Sequence, residues 1–419
     1  MTANGELRRT LGVSDAVVIG AGSMIGAGVF SAWSPAAEAA GTGLLIGLAL
    51  AAVVAFCNAT SSAQLAAIHP ESGGTYVYGR RQLGPAWGHL AGWGFVVGKT
   101  ASCAAMSLTV GAYLWPDHDR VVALAAIVVI TAVNVAGLSR TVLLTKVLLF
   151  VSLATLAGVV ASGALGDTAD LGRVTPLEGD AHGILQSAGF LFFAFAGYAR
   201  IATLGEEVRD PARTIPRAIP RALAIVLVVY AVVGITALAT VDADALAATS
   251  APLRLVAEVG RFEGVADVVR IGAGLAALGA LLNLLPGVSR TVLAMARERE
   301  LPGALAAVDA KRSLPIRAEL VVAAVVVVLV LVLDLRSAIG VSGLAVLTYY
   351  AITNAAALTL TPQQRRWPRA IAVGGFVGCA ALAASLPWRI VVSGAAVLLV
   401  GVIVRHLTNF GAARRLSRS

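Results

Sequence analysis

The sequence predicts an all-α polytopic membrane protein with about twelve transmembrane helices. Three observations predict it. Of the 419 residues, 58% are hydrophobic and only 13% charged, at a mean hydropathy of +0.85; soluble domains carry about 25% charge. Many apolar runs reach the ~20 residues that a helix needs to cross a bilayer. Two of the runs, one in each half, are interrupted by glycine at mid-span. Such a chain is one intramembrane unit rather than a set of soluble domains.

The first span, 13–36, contains GAGSMIGAGVF at 20–30. Gly20, Gly22, Gly26 and Gly28 fall within nine residues, and each costs a helix interior roughly 1 kcal/mol relative to alanine. Inside a membrane, an opened helix must set its freed backbone groups against protein, water or ligand. The stretch therefore reads as a helix broken at mid-membrane. VVIGAGSMIG also matches a dinucleotide-binding glycine pattern, with Glu38 near the distance of a ribose ligand. That motif needs a strand, a soluble helix and a βαβ unit, and here the flanks are apolar throughout. The sequence before 13 has no cleavage-site pattern, so the first span reads as retained.

Spans two to five follow at 41–66, 84–113, 119–136 and 141–163. The sixth, 183–205, contains the second interruption, FFAFAGYAR at 192–200, around Gly197. Spans seven to ten are 218–240, 265–285, 316–334 and 337–359, and two more lie at 369–386 and 388–405. An interrupted span opens each set of five, which predicts a five-plus-five inverted repeat (13–163 and 183–359) with two helices appended. Prolines 211, 216 and 220 read as helix stops in a charged connector. Segment 289–302 reads as an amphipathic helix.

The formal charge of +9 reflects topology. Of 32 Lys and Arg residues, 23 fall on one face of this arrangement and 7 on the other, with Lys99 and Arg200 inside spans. Basic loops stay on the cytoplasmic side, so the termini (1–12 and 406–419) are expected in the cytoplasm and the protein in the plasma membrane. Anionic lipid headgroups suit that face. No nucleic-acid partner is implied. Cys57, Cys103 and Cys379 read as small buried residues, and the five histidines form no metal-ligand pattern. No cofactor is expected.

Two interrupted helices in matching positions point to the binding site of a secondary transporter. Met24, Ala27 and Gly28 border the first break, where backbone amides suit a carboxylate. Phe193, Ala194, Ala196 and Gly197 border the second, where carbonyls suit an ammonium. Glycines also permit close helix packing; the matching placement favours a site. Lys99 lies mid-span, where a charge costs about 2.5–3.5 kcal/mol and marks function by default. No carboxylate lies at mid-span to pair with it, so it is expected to face an aqueous cavity and to be able to carry a proton. Arg200 is expected to pair with Glu206 or Glu207, or to face the inner vestibule. The eighth span offers no Ser or Thr between Val265 and Val288 and only Asn283 as a distal polar side chain, which argues against sodium. A membrane enzyme would need intramembrane acid–base residues that the spans lack, and a channel would need repeated polar faces.

GSMIGAGVF, the FFAFAGYARIATLGEEVRDPARTIPRAI segment and SRTVLAMARERELP resemble motifs of the amino acid–polyamine–organocation transporter superfamily. HPESGGTYVYGRRQLGP and TYYAITNAAAL are similar too. The resemblance covers most of residues 10–360. It implies the inverted-repeat fold, an amino acid substrate, and proton symport or exchange rather than catalysis. By the same resemblance, substrate contacts fall on Met24, Ala27, Gly28, Phe193, Ala196 and Gly197. A third-span contact, asparagine in arginine–agmatine antiporters, falls on Lys99, and an eighth-span aromatic falls on Leu284. The fifth-span lysine of proton-coupled relatives falls on Ser152, with Lys146 six residues earlier. A cation at Lys99 opposes a cationic substrate, so a neutral or acidic amino acid is expected.

Overall fold

The computed structural model describes residues 11–69, 73–136, 142–202, 208–309, 312 and 314–416. Among them the regular structure is helical, with a single isolated bridge, Leu11 to Val208. The first predicted span is three helices: α1 (Val13–Met24), α2 (Ala27–Ser31) and α3 (Trp33–Ala40). Next come α4 (Leu44–Ile68), the short α5 (Thr75–Gln82), α6 (Pro85–Leu114), α7 (Asp119–Val135) and α8 (Val142–Ala164). The second half runs α9 (Ala181–Phe195), α10 (Ala199–Ala202), α11 (Pro211–Thr240), α12 (Ala243–Ala247), α13 (Pro252–Val259) and α14 (Val265–Arg297). It closes with α15 (Ile316–Val332), α16 (Leu335–Leu358), α17 (Arg369–Ser385) and α18 (Trp388–Leu416).

A helix lies on each of the twelve predicted segments. Among the described residues, nine stretches are long and apolar enough to cross a membrane. α9, α15 and α17 have 15, 17 and 17 residues, short of the ~20 needed for a full crossing.

Helix starts follow local chemistry. Gly84 (φ +103°) turns the chain into α6, with Pro85 as its first residue, where a missing N–H costs nothing. Asp180 and Asp334 cap α9 and α16, accepting from Gly183 N at 3.0 Å and Ser337 N at 2.6 Å.

The prolines overturn one expectation. Only Pro211 marks a boundary, as the first residue of α11; Pro216 and Pro220 lie inside the helix. An interior proline leaves the carbonyl four residues back without its partner. The Ala212 carbonyl, so freed by Pro216, accepts instead from the Arg366 guanidinium. Likewise α14 does not end near Pro286 but continues through it to Arg297, which takes in much of the predicted amphipathic segment.

α6 is the central helix. Its most apolar stretch is 78% buried, against 17% for α18 at the periphery. It packs against α16, α14, α7 and α5. Gly94, Gly98 and Ser102 recur every fourth residue, on one face of the helix. A Cβ on Gly98 would sit 2.9 Å from Val346 Cγ2, and Ser102 Oγ meets Ser342 Oγ at 2.6 Å. This small-residue stripe lets α6 and α16 approach closely.

Both ends of the bundle are tied. At one, the Gly43 amide donates to the Glu178 carbonyl at 2.8 Å and Arg336 pairs with Glu38. At the other, the Arg209 amide donates to the Leu11 carbonyl at 2.9 Å and Arg80 pairs with Glu298 at 2.9 Å. All three cysteines are free and buried.

Candidate substrate site

The first break is two residues long. Ile25 (φ −79°, ψ 69°) and Gly26 (φ −130°, ψ −144°) leave the helical region between α1 and α2. Gly26 N donates to the Met24 carbonyl at 2.8 Å in a tight turn. The first amides of α2 thus have no preceding helical carbonyl. The second break has a different form. α9 ends at Phe195, and residues Ala196–Tyr198 form one 3₁₀ turn before α10. The interruption predicted around Gly197 is therefore a tightened turn rather than an open gap.

The two breaks touch. A Cβ added to Gly28 would lie 2.7 Å from Ala194 Cα. One added to Gly197 would land on the Ser23 carbonyl oxygen, and 2.7 Å from Met24 N. Backbone meets backbone at both points, and only glycine permits it. Met24, Ala27, Phe193 and Ala196 are all buried here, none more than 8% exposed.

Lys99 reaches this junction. It is 7% exposed, and its Nζ donates to the Ala196 carbonyl at 3.4 Å. No carboxylate pairs with it among the described residues. Thus the ammonium of Lys99 occupies a carbonyl of the second break, where the sequence suggested a substrate ammonium. Cys103, one turn further along α6, is fully buried.

Leu284 is half-buried on α14 and packs against the apolar cluster that includes Phe193 and Cys103. Ser152 is 1% exposed on α8, and its hydroxyl donates to the Leu148 carbonyl of its own helix at 2.9 Å. α8 lies against α14, α11 and α1, and among the described residues no hydrogen bond joins Ser152 to Lys99. Asn283 is exposed and donates to the Gly279 carbonyl at 2.9 Å. Arg200 is exposed, and Glu206 and Glu207 lie outside the described residues.

The sequence reading missed Tyr230. It is 1% exposed on α11, and its hydroxyl is 2.7 Å from the Met24 carbonyl and 3.0 Å from the Ala194 carbonyl. One hydroxyl hydrogen is shared between the last carbonyl of α1 and a carbonyl beside the second break. A lone tyrosine in LVVYAVVG was the available signal, since a buried hydroxyl in an apolar span needs a partner. Tyr230→Phe is expected to remove the donor that ties the two carbonyls together, the Met24 carbonyl keeping Gly26 N, and to lower stability by about 0.5–1.5 kcal/mol. The midpoint of thermal unfolding in detergent checks this, and an unchanged midpoint would remove Tyr230 from the account.

The family model described as amino acid permease matches residues 15–412. The chain belongs to the amino acid permease family. This permease is 57% identical over 399 residues to an uncharacterized transporter of Mycobacterium tuberculosis, covering 95% of this chain and 90% of that one. It is 24% identical over 440 residues to the branched-chain amino acid permease BcaP of Bacillus subtilis, covering 96% and 93%. It is 26% identical over 380 residues to the chloroplastic cationic amino acid transporter 7 of Arabidopsis thaliana, covering 84% and 65%. The motifs that carried the resemblance are thus those of an amino acid permease, a multi-pass membrane protein whose substrates are small molecules.

Proposed function

We propose that this permease is a secondary active transporter that moves a neutral or acidic amino acid across the plasma membrane by alternating access, with a proton as the coupling ion. The observation that carries this reading is the junction of two interrupted helices with the Lys99 ammonium on the Ala196 carbonyl. A zwitterion offers one carboxylate and one ammonium. The start of α2 supplies amides for the first, and the 3₁₀ turn supplies carbonyls for the second. Met24, Ala27, Gly28, Phe193, Ala196, Gly197 and Leu284 are the contacts we assign to substrate.

In this reading Lys99 holds the substrate's place in the closed form. An incoming α-ammonium must displace it from Ala196, and two cations cannot share that carbonyl cheaply. Loss of the lysine proton removes the conflict, which couples substrate entry to proton movement. A cationic side chain would meet the same repulsion, so the substrate is neutral or acidic. The name of the Bacillus relative agrees with a neutral one. The fifth-span position of proton-coupled relatives is Ser152 here, so we assign the coupling role to Lys99 first. Sodium is disfavoured because α14 offers no Ser or Thr between Val265 and Val288, and only Asn283 as a distal polar side chain there. The two halves, 13–163 and 183–359, act as inverted repeats, with the basic loops and both termini in the cytoplasm.

Uptake of labelled amino acids into proteoliposomes tests this. With sodium excluded, an inward proton gradient is expected to drive accumulation of neutral or acidic amino acids. Uptake that needs a preloaded lumen instead would make the protein an exchanger. No uptake of any amino acid would overturn the substrate class.

A further inference from the structure

The end of α6 away from the junction carries a second buried titratable pair. His89 is 1% exposed, and its Nε2 lies 2.9 Å from the Gly401 carbonyl of α18. A carbonyl only accepts, so Nε2 holds a hydrogen. The other nitrogen, Nδ1, faces Glu300 Oε2 at 3.5 Å, and neither atom has a nearer hydrogen-bond partner among the described residues. Glu300 is 7% exposed.

The chain is bent to put Glu300 there. After α14, Arg299 takes φ +62°, and its amide bonds the Ala296 carbonyl at 3.1 Å while Glu300 N bonds Met295 at 2.9 Å. This is a helix-ending turn whose left-handed position normally belongs to glycine. An arginine held in it is strained. The turn directs the glutamate into the bundle rather than away from it.

Arg80 is a cation on the other carboxylate oxygen, and among the described residues Oε2 accepts no hydrogen bond. From α5, Arg80 lies 3.3 Å from Glu300 Oε1 and 2.9 Å from Glu298, and donates to Tyr76 at 3.1 Å. Arg81 of α5 is exposed, and Arg405 lies one turn beyond Gly401 on α18. From α16 the titratable neighbour of this part of α6 is Tyr349, which stacks on Phe95 at 5.6 Å. With Nε2 donating to Gly401, a neutral His89 would aim its Nδ1 lone pair at a carboxylate oxygen. Two buried acceptors would then face each other. One proton between them, on either atom, removes the clash.

We propose that His89 and Glu300 form a proton-binding site, separate from Lys99, that closes this end of the bundle. It lies ten residues from Lys99 along α6, about 15 Å at helical rise. The bound proton joins α6, α18 and the end of α14, while Arg80 adds α5 to the same glutamate. Loss of the proton removes this tie between α6 and the end of α14, while Arg80 stays on the glutamate. Acid therefore favours the closed arrangement and rising pH releases it. The inference needs the fold alone and stands whatever the substrate is.

NMR of the full chain in nanodiscs, labelled with [15N]histidine, tests it. There are five histidines, and His89→Gln identifies the signal of His89. The wild type is expected to show Nε2 protonated throughout, with Nδ1 gaining the proton on acidification. Glu300→Gln is expected to diminish that gain at the same acid pH, since it removes the facing carboxylate. Deuterium exchange at 75–82 and 298–301, corrected for intrinsic rates, should be slower at acid than at alkaline pH in the wild type and lose that difference in Glu300→Gln. A neutral His89 protonated on Nδ1 would overturn the proposal on the wild type alone. So would an Nδ1 proton signal unaltered by Glu300→Gln, or protection that does not change with pH.

Discussion

Gly197→Ala is expected to abolish transport. Its new Cβ would strike the Ser23 carbonyl oxygen and sit 2.7 Å from Met24 N. Both are backbone atoms, with no flexible side-chain end to move aside. Overpacking at such a point costs typically 1–3 kcal/mol, and relief must come from separating the two breaks. That separation misplaces the Met24 and Ala194 carbonyls shared by Tyr230. Uptake should fall to background in protein that still elutes as a single peak on size exclusion. Gly287→Ala is the control, because nothing lies within 4 Å of its added Cβ, and it should transport like the wild type. Normal uptake by Gly197→Ala would mean that the breaks do not need this contact.

Lys99→Met is expected to have the second largest effect, in kind as much as in size. Methionine keeps an unbranched side chain of similar reach and removes the cation. The Ala196 carbonyl is then free in the absence of substrate. Transport should lose the part of its pH dependence that Lys99 sets, and its rate should fall ~10-fold or more, equivalent to about 1.4 kcal/mol of barrier. Selectivity should widen as well. Two like charges ~5 Å apart repel by about 3 kcal/mol at an effective dielectric of 20, so cationic amino acids excluded by Lys99 should become competitors in the variant. Competition assays at two pH values read both effects. If rate, pH profile and competition all match the wild type, Lys99 is a structural residue.

Much of this was legible in the sequence, and the reason differs by element. The breaks were legible because glycine clusters are costly in a helix interior and these lie at mid-span. Lys99 was legible because a lone charge at that depth stands out against apolar neighbours. The form of the second break was not. A single glycine between alanine and tyrosine specifies a weak point, and the tight turn there depends on α1 lying against it. Pro216 and Pro220 were misread for a similar reason. Proline stops a helix when the freed carbonyl has no other donor, and for Pro216 Arg366 supplies one from 154 residues away. His89 and Glu300 are ordinary residues near span ends, and no spacing rule links them. Ser152 was placed by resemblance alone, and its hydroxyl bonds within its own helix.

The burial of all three native thiols makes the unmodified protein its own reporter. Bulky reagents that cannot cross the bilayer should find no cysteine to alkylate while the bundle is closed. Cys103 sits one helical turn from Lys99, with none of its surface exposed. Alkylation that begins at Cys103 only during turnover would therefore time the opening of the core directly. Mass spectrometry can then follow the cycle without a single engineered residue.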